Sequence, residues 1–262
     1  MAVSVVGPEY LRAAAANPVI RELKRRSYEL LRVGEGSRVI DVGCGPGIDT
    51  SELGLLVGPT GQVVGIDQDA AMIAAADAEA RRVGVSGWTR HQVAAGTALP
   101  FAPASFDAAR CERVFQHLAD PGPALALAEL RRVTRPGGRI AVADTDWGTL
   151  SIDLDDVELE RRITRLHVSR FWNGFAGRRL RRLFVMQGLP PTDVEAFVVL
   201  LELPALLELL SATEQYALAT GAVSPDEWRR WRQGLWLADA AGAHFAQLNV
   251  ILVASTVPAG PA

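Results

Sequence analysis

Lysine is almost absent from this chain of 262 residues: Lys24 stands alone, and arginine supplies the remaining positive charge. Cysteine is nearly as scarce. Two residues, Cys44 and Cys111, cannot build a disulfide framework, which excludes a small stapled secreted scaffold and fits a reducing compartment. The four histidines, His91, His117, His167 and His244, lack metal-ligand spacing, so no metal is expected. No apolar run approaches the ~20 residues that span a bilayer. The N-terminus shows no basic stretch leading into an apolar core and a cleavage site. The expectation is a cytoplasmic protein with no membrane partner. Excess positive charge is missing too. A net charge of -3 argues against gripping a nucleic-acid backbone. The arginine clusters at Arg178, Arg179, Arg181 and Arg182, and at Arg229, Arg230 and Arg232, read as solvated faces, with RNA binding the weaker alternative.

What is present is enough for a sizeable core: 49% apolar residues against 22% charged. A helix is expected over Pro8 to Leu31. Apolar runs then alternate with helical segments. Strands are predicted at Ser37 to Asp41, Gln62 to Ile66, Trp88 to Val93, Phe106 to Cys111 and Arg139 to Ala143. Helices are predicted at Gly47 to Leu56, Asp69 to Val83 and Pro121 to Val133. That alternation predicts an α/β fold, a doubly wound and mostly parallel sheet with helices on both faces. After Ala143 the pattern changes. One helical segment is predicted from Leu154 to Gln187, a strand at Val194 to Leu201, helices at Pro204 to Ala219 and Pro225 to Ala241, and a last strand at Leu248 to Ser255. Ser224, Pro225 and Glu227 predict a capping box. The whole reads as one domain over 1–262, with an N-terminal helical part (1–34), a cofactor-binding core (35–146) and late strands with a helical substrate lid (147–262).

The chemistry concentrates after the first strand, in Asp41-Val42-Gly43-Cys44-Gly45-Pro46-Gly47. Glycines at a strand-to-helix turn let backbone approach a ligand closely. A dinucleotide fold uses the same device, but here the spacing is Gly-x-Gly-x-Gly and an acid precedes it. An anionic pyrophosphate would be repelled by Asp41. A ligand carrying an ammonium and a sulfonium would be attracted. The second strand ends in Asp67, beside Gln68, and an acid there can accept hydrogen bonds from a ribose diol. The bland alternative is an unliganded α/β turn.

These residues resemble the class I S-adenosylmethionine-dependent methyltransferases, in particular the small-molecule group that includes ubiquinone and menaquinone biosynthesis enzymes. The likeness is carried by Val39 to Gly47, Val64-Gly65-Ile66-Asp67, Leu99-Pro100-Phe101, Ser105-Phe106-Asp107, Gln116 to Pro121 and Leu130 to Arg139. It is specific from Arg38 to Asp144 and only general from Trp147 onward. The resemblance implies a seven-stranded sheet with a reversed final hairpin and S-adenosylmethionine as cofactor. One position departs from the family pattern: Ala95 stands where an acid commonly meets the adenine amino group, so adenine would lean on backbone of Ala95 and Gly96. Backbone at Cys111 or Glu112 would meet the methionine amino group, by the same resemblance.

The implied acceptor site lies beyond the strand ending at Cys111. His117 is the general-base candidate, because its reference pKa of about 6.5 suits neutral pH; a purely structural histidine is the alternative. Arg113 is a second catalytic candidate, suited to an acidic acceptor. Asp144, Trp147, Trp172 and Asn173 are candidate substrate contacts, since aromatic residues with a few polar groups suit a flat or apolar acceptor; core packing is the competing reading. A metal site from Glu112, Asp144 and Asp146 is a minor alternative. The expected partner is a small-molecule acceptor, with homodimerisation left open. Two further readings keep the cofactor site: a cyclase that uses the sulfonium electrostatically, and a non-catalytic partner of another enzyme.

Overall fold

Val39 and Ile40 are neighbours in sequence, yet they serve two separate cores. Successive residues of a strand point to opposite faces, and in this chain both faces are covered. The computed structural model describes Gly7, Leu11, Arg12 and residues 15–259. Its sheet comprises β1 (Arg38–Val42), β2 (Gln62–Asp67), β3 (Thr89–Val93), β4 (Phe106–Glu112), β5 (Thr134–Ile152), β6 (Pro191–Leu200) and β7 (Ala246–Thr256). The order is β3-β2-β1-β4-β5-β7-β6. Strands β1 to β5 run parallel, and β7 lies antiparallel between β5 and β6. This is the doubly wound seven-stranded sheet with a reversed final hairpin that the sequence predicts.

Helices α1 (Pro18–Leu31), α2 (Ile48–Val57), α5 (Val157–Ser169), α7 (Leu203–Thr220) and α8 (Pro225–Ala240) share one core with the sheet. Helices α4 (Gly122–Val133) and α6 (Ala176–Met186) build the other. Helix α3 (Ala70–Val83) packs near β2, β3 and α2. The chain reverses its direction of sheet growth between β1 and β4, and in open α/β sheets such a switch point leaves a crevice beyond the strands' carboxyl ends. The β1–α2 turn and the end of β4 face that crevice.

Three local differences from the sequence reading have physical causes. The N-terminal helix does not run unbroken from Pro8 to Leu31, and Pro8 itself lies outside the described residues. Asn17 caps a fresh helix by accepting from the Val19 and Ile20 amides at 2.9 and 3.4 Å, and Pro18 opens it; proline at a first helical position has no amide to lose. The helix expected over Leu154 to Gln187 is two, α5 and α6. The chain breaks at Asn173-Gly174, where a Cβ on Gly174 would meet the Val168 carbonyl oxygen at 2.7 Å. Strand β5 outruns its predicted end at Ala143 and continues to Ile152 against β7. Two of its buried acids find partners inside the fold: Asp144 accepts from the Gln116 and Thr145 amides, and Asp146 Oδ2 from Arg178. Trp228, Trp231 and Leu235, on one face of α8, are buried in the first core. The capping box forms as read: the Glu227 amide donates to the Ser224 hydroxyl, and the Ser224 amide to the Glu227 carboxylate.

Candidate active site

The first turn after β1 is bent by three glycines at positive φ: Gly43 (76°), Gly45 (51°) and Gly47 (81°). At Gly43 a Cβ would fall 2.1 Å from Val114 Cγ2, and at Gly47 one would fall 2.7 Å from the Ala76 Cα. These two glycines therefore let neighbouring chain close in, a job the sequence reading had given to ligand approach. The amides of Gly43 and Cys44 both donate to the Ile66 carbonyl, at 2.7 and 2.9 Å. Gly45 N donates to Asp67 Oδ2 and Asp69 N to Asp67 Oδ1, both at 3.0 Å. Asp67 is thus held by two amides while remaining half-buried at the rim of the crevice.

The crevice is a cavity of about 450 Å³. Among the expected cofactor contacts, Gly43, Cys44 and Gly45 line one side, Asp67 and Gln68 the next, and Gly96 and Glu112 close it. Arg113, His117 and Trp172 line its outer part. Gly47, Ala95 and Cys111 do not line it. Gly47 seats α2 against α3, Cys111 is fully buried in β4, and Ala94 lines the cavity in place of Ala95.

Asp41 also stands off the cavity. It is buried, and Arg110 Nη1 reaches its Oδ1 at 3.1 Å. Arg110 also binds Asp49 at 3.1 Å, Ser27 Oγ at 3.0 Å and Glu112. Lys24 Nζ lies 2.6 Å from Asp49 and 3.2 Å from Glu112. Tyr28 donates to Asp49. Two cations therefore face three carboxylates in one buried cluster. Burial raises the pKa of all three carboxyls. At Asp49 and Glu112 the attraction of Arg110 and Lys24 outweighs burial and holds the pKa below the usual range. At Asp41 burial wins over Arg110 and pushes the pKa up to about 7. Asp49 and Lys24 line the cavity beside Glu112. The sequence reading missed both.

The cavity wall carries the carboxylates of Asp49, Asp67, Asp69 and Glu112 against the cations Lys24 and Arg113. An excess of anions, with both cations already paired to carboxylates, suits a ligand bearing an ammonium and a sulfonium better than a pyrophosphate.

A second cavity, of about 490 Å³, opens next to the first and shares Trp172 with it. Trp147, Phe171 and Phe175 line it as well. Trp147 stacks on Phe171 with ring centres 4.6 Å apart and a 17° tilt. Asn173 borders this second cavity, buried, with its Oδ1 accepting from Arg179. Asp144 borders neither cavity: it is fully buried and supports the short 3-10 turn Phe115–His117. Helices α7 and α8 line neither cavity, so the expected lid narrows to the chain around Trp172. The Glu112, Asp144 and Asp146 metal alternative is not assembled, because the three carboxylates serve the ion cluster, backbone amides and Arg178 respectively. Among the described residues no helix is long and apolar enough to cross a membrane.

Over residues 34–172, more than half of the chain, the sequence matches the family described as Methyltransferase domain. The chain belongs to the class I S-adenosylmethionine-dependent methyltransferases, and S-adenosylmethionine is its cofactor. It is 37% identical over 258 residues to a 37.1 kDa protein of a Streptomyces fradiae transposon, spanning 95% of this chain and 71% of that one. It is 37% identical over 124 residues to the ubiquinone/menaquinone biosynthesis C-methyltransferase UbiE of Pseudomonas savastanoi, which is 46% of each protein. The match thus spans less than half of that relative. In fold it is similar to the YcgJ protein of Bacillus subtilis, with a TM-score of 0.65 at 18% identity, over 92% of this chain and 100% of that one.

Proposed function

We propose that the protein transfers the methyl group of S-adenosylmethionine to an oxygen, carbon or nitrogen of a small, flat, apolar or aromatic metabolite of quinone-like or secondary metabolism. The observation that carries this reading is the aromatic cavity of Trp147, Phe171, Trp172 and Phe175, which adjoins the carboxylate-lined cavity through Trp172. When bound, the cofactor supplies a methyl group on a cationic sulfur that departs as a neutral thioether. The chain's own residues bind and orient. Asp67, held by two amides, accepts from the ribose hydroxyls. Asp49 and Glu112 offer charge to the ammonium, and Lys24 to the carboxylate. Trp172 and Phe171 would hold a flat acceptor beside the cofactor's methyl group, where positioning lowers the barrier. The acceptor's lone pair forms the new bond to carbon, and the carbon–sulfur pair returns to sulfur.

The test is incubation with S-adenosylmethionine and a panel of phenols, hydroquinones and aryl amines, read by product mass. A product heavier by one methyl, with S-adenosylhomocysteine in equal amount, supports the proposal. A rearranged product of unchanged mass, with no S-adenosylhomocysteine, points to cofactor-assisted cyclisation and overturns it.

A further inference from the structure

His117 was read from sequence as a base, yet its surroundings hold the ring the other way round. Trp147 Nε1 lies 2.6 Å from Gln116 Oε1. An indole N–H can only donate, so the atom it meets must be the amide oxygen, and the amide nitrogen of Gln116 is fixed on the opposite side. That nitrogen lies 3.2 Å from His117 Nε2 and 3.1 Å from the Arg113 carbonyl oxygen. An amide N–H can only donate to the ring, so Nε2 accepts and the proton of the neutral imidazole sits on Nδ1. Burial first, and the adjacent Arg113 second, lower the His117 pKa, which favours this neutral form. Among the described residues no protein group bonds Nδ1–H. Gln116 is itself buried, and its backbone carbonyl accepts from the Asn173 backbone N–H at 3.0 Å, which fixes the chain from which the side chain reaches.

Arg113 completes the arrangement. It is a non-glycine residue at φ +56°, a conformation that costs energy and concentrates at functional sites. It lines the cavity with His117, and among the described residues only its Nε is engaged, by Glu112 at 3.2 Å. We infer that Gln116 is a positioning residue that keeps His117 as an Nδ1–H donor rather than a base, and that His117 and Arg113 together receive an anionic oxygen of the methyl acceptor. The substrate class is then an aryl or enol metabolite that arrives as an oxyanion or carries a carboxylate. Transfer from a sulfonium to an oxyanion needs no base: the oxygen lone pair takes the methyl, sulfur recovers the bonding pair, and no proton moves. This deepens the proposed methyl transfer, but the tautomer is a property of the chain alone and can be measured without an acceptor.

The measurement is long-range proton–nitrogen correlation NMR of the folded protein, with and without S-adenosylhomocysteine. Wild type is expected to show a protonated Nδ1 and a bare Nε2 on His117. In Gln116→Glu a carboxylate replaces the donor, so the proton is expected on Nε2, the His117 pKa rises, and the KM of an anionic phenol rises severalfold more than kcat falls. Trp147→Phe releases the amide to turn over, and a mixture of both tautomers is expected. A protonated Nε2 in wild type overturns the inference. So does an unchanged tautomer in folded Gln116→Glu. Failure of the methylation panel with the tautomer as described would strike the proposed function and leave the ring assignment standing.

Discussion

The carboxylate of Asp67 and the amide of Gly45 are joined at 3.0 Å, so the acid ending β2 holds the glycine turn that follows β1. Asp67→Ala removes this tie as well as the charged acceptor offered to the ribose. Cofactor affinity is expected to fall by about 1–3 kcal/mol. Calorimetric titration with S-adenosylhomocysteine checks it, and unchanged affinity in the folded variant refutes the role.

The buried ion cluster makes a stability prediction. Arg110→Met leaves Asp41 without its ion-pair partner, Asp49 with Lys24, and Glu112 with Lys24 and Arg113. Breaking a buried ion network from one side costs about 3–5 kcal/mol, because the remaining charges stay buried without partners. Urea unfolding of the variant should show a loss of that order, and a loss of only a few tenths would mean that water reaches the cluster.

A pH dependence follows from His167. Its ring is buried, with Nδ1 2.9 Å from the Thr213 hydroxyl. Burial, with Arg170 beside it, lowers its pKa from 6.5 to about 3. The unfolded chain therefore takes up a proton below 6.5 that the native chain refuses until about 3. This contribution to stability is complete above the unfolded value and is lost as pH falls toward the folded one, at up to about 1.4 kcal/mol per pH unit. Urea unfolding across that window should be less steeply acid-sensitive in His167→Asn than in wild type. Equal slopes would contradict the account.

Much of the cofactor side was legible because it is local. Asp41 to Gly47 and Asp67 declare a turn and a strand end within a few residues each, and the capping box of Ser224 and Glu227 spans one turn of helix. The ion cluster was not legible. Lys24, Asp49, Arg110 and Glu112 come from three elements and meet only when the sheet closes. Signals for it existed. Lys24 falls on the same helical face as Ile20, Leu23, Ser27 and Leu31, all buried, and Arg110 and Glu112 share one face of the buried strand β4 with Ala108. Asp41 was misassigned for the same reason, since its role depends on Arg110, 69 residues later. The substrate side was legible only as a set of aromatics, because Trp172, exposed, and Trp228, buried, look alike until the packing is known.

Trp172 offers the acceptor-side prediction. It is 62% exposed, so Trp172→Ala should change stability by no more than about 0.5 kcal/mol. Loss of a stacking wall worth about 1 kcal/mol should raise acceptor KM several-fold. Steady-state kinetics on any acceptor found in the panel decides it, and an unchanged KM would place the acceptor elsewhere.

The most direct measurement of the central claim is calorimetric titration of the folded protein with S-adenosylhomocysteine and, separately, with NAD. The carboxylate-lined cavity predicts saturable one-to-one binding of S-adenosylhomocysteine, weakened in Asp67→Ala, and no heat from NAD beyond dilution. Saturable binding of NAD with none of S-adenosylhomocysteine would contradict the account.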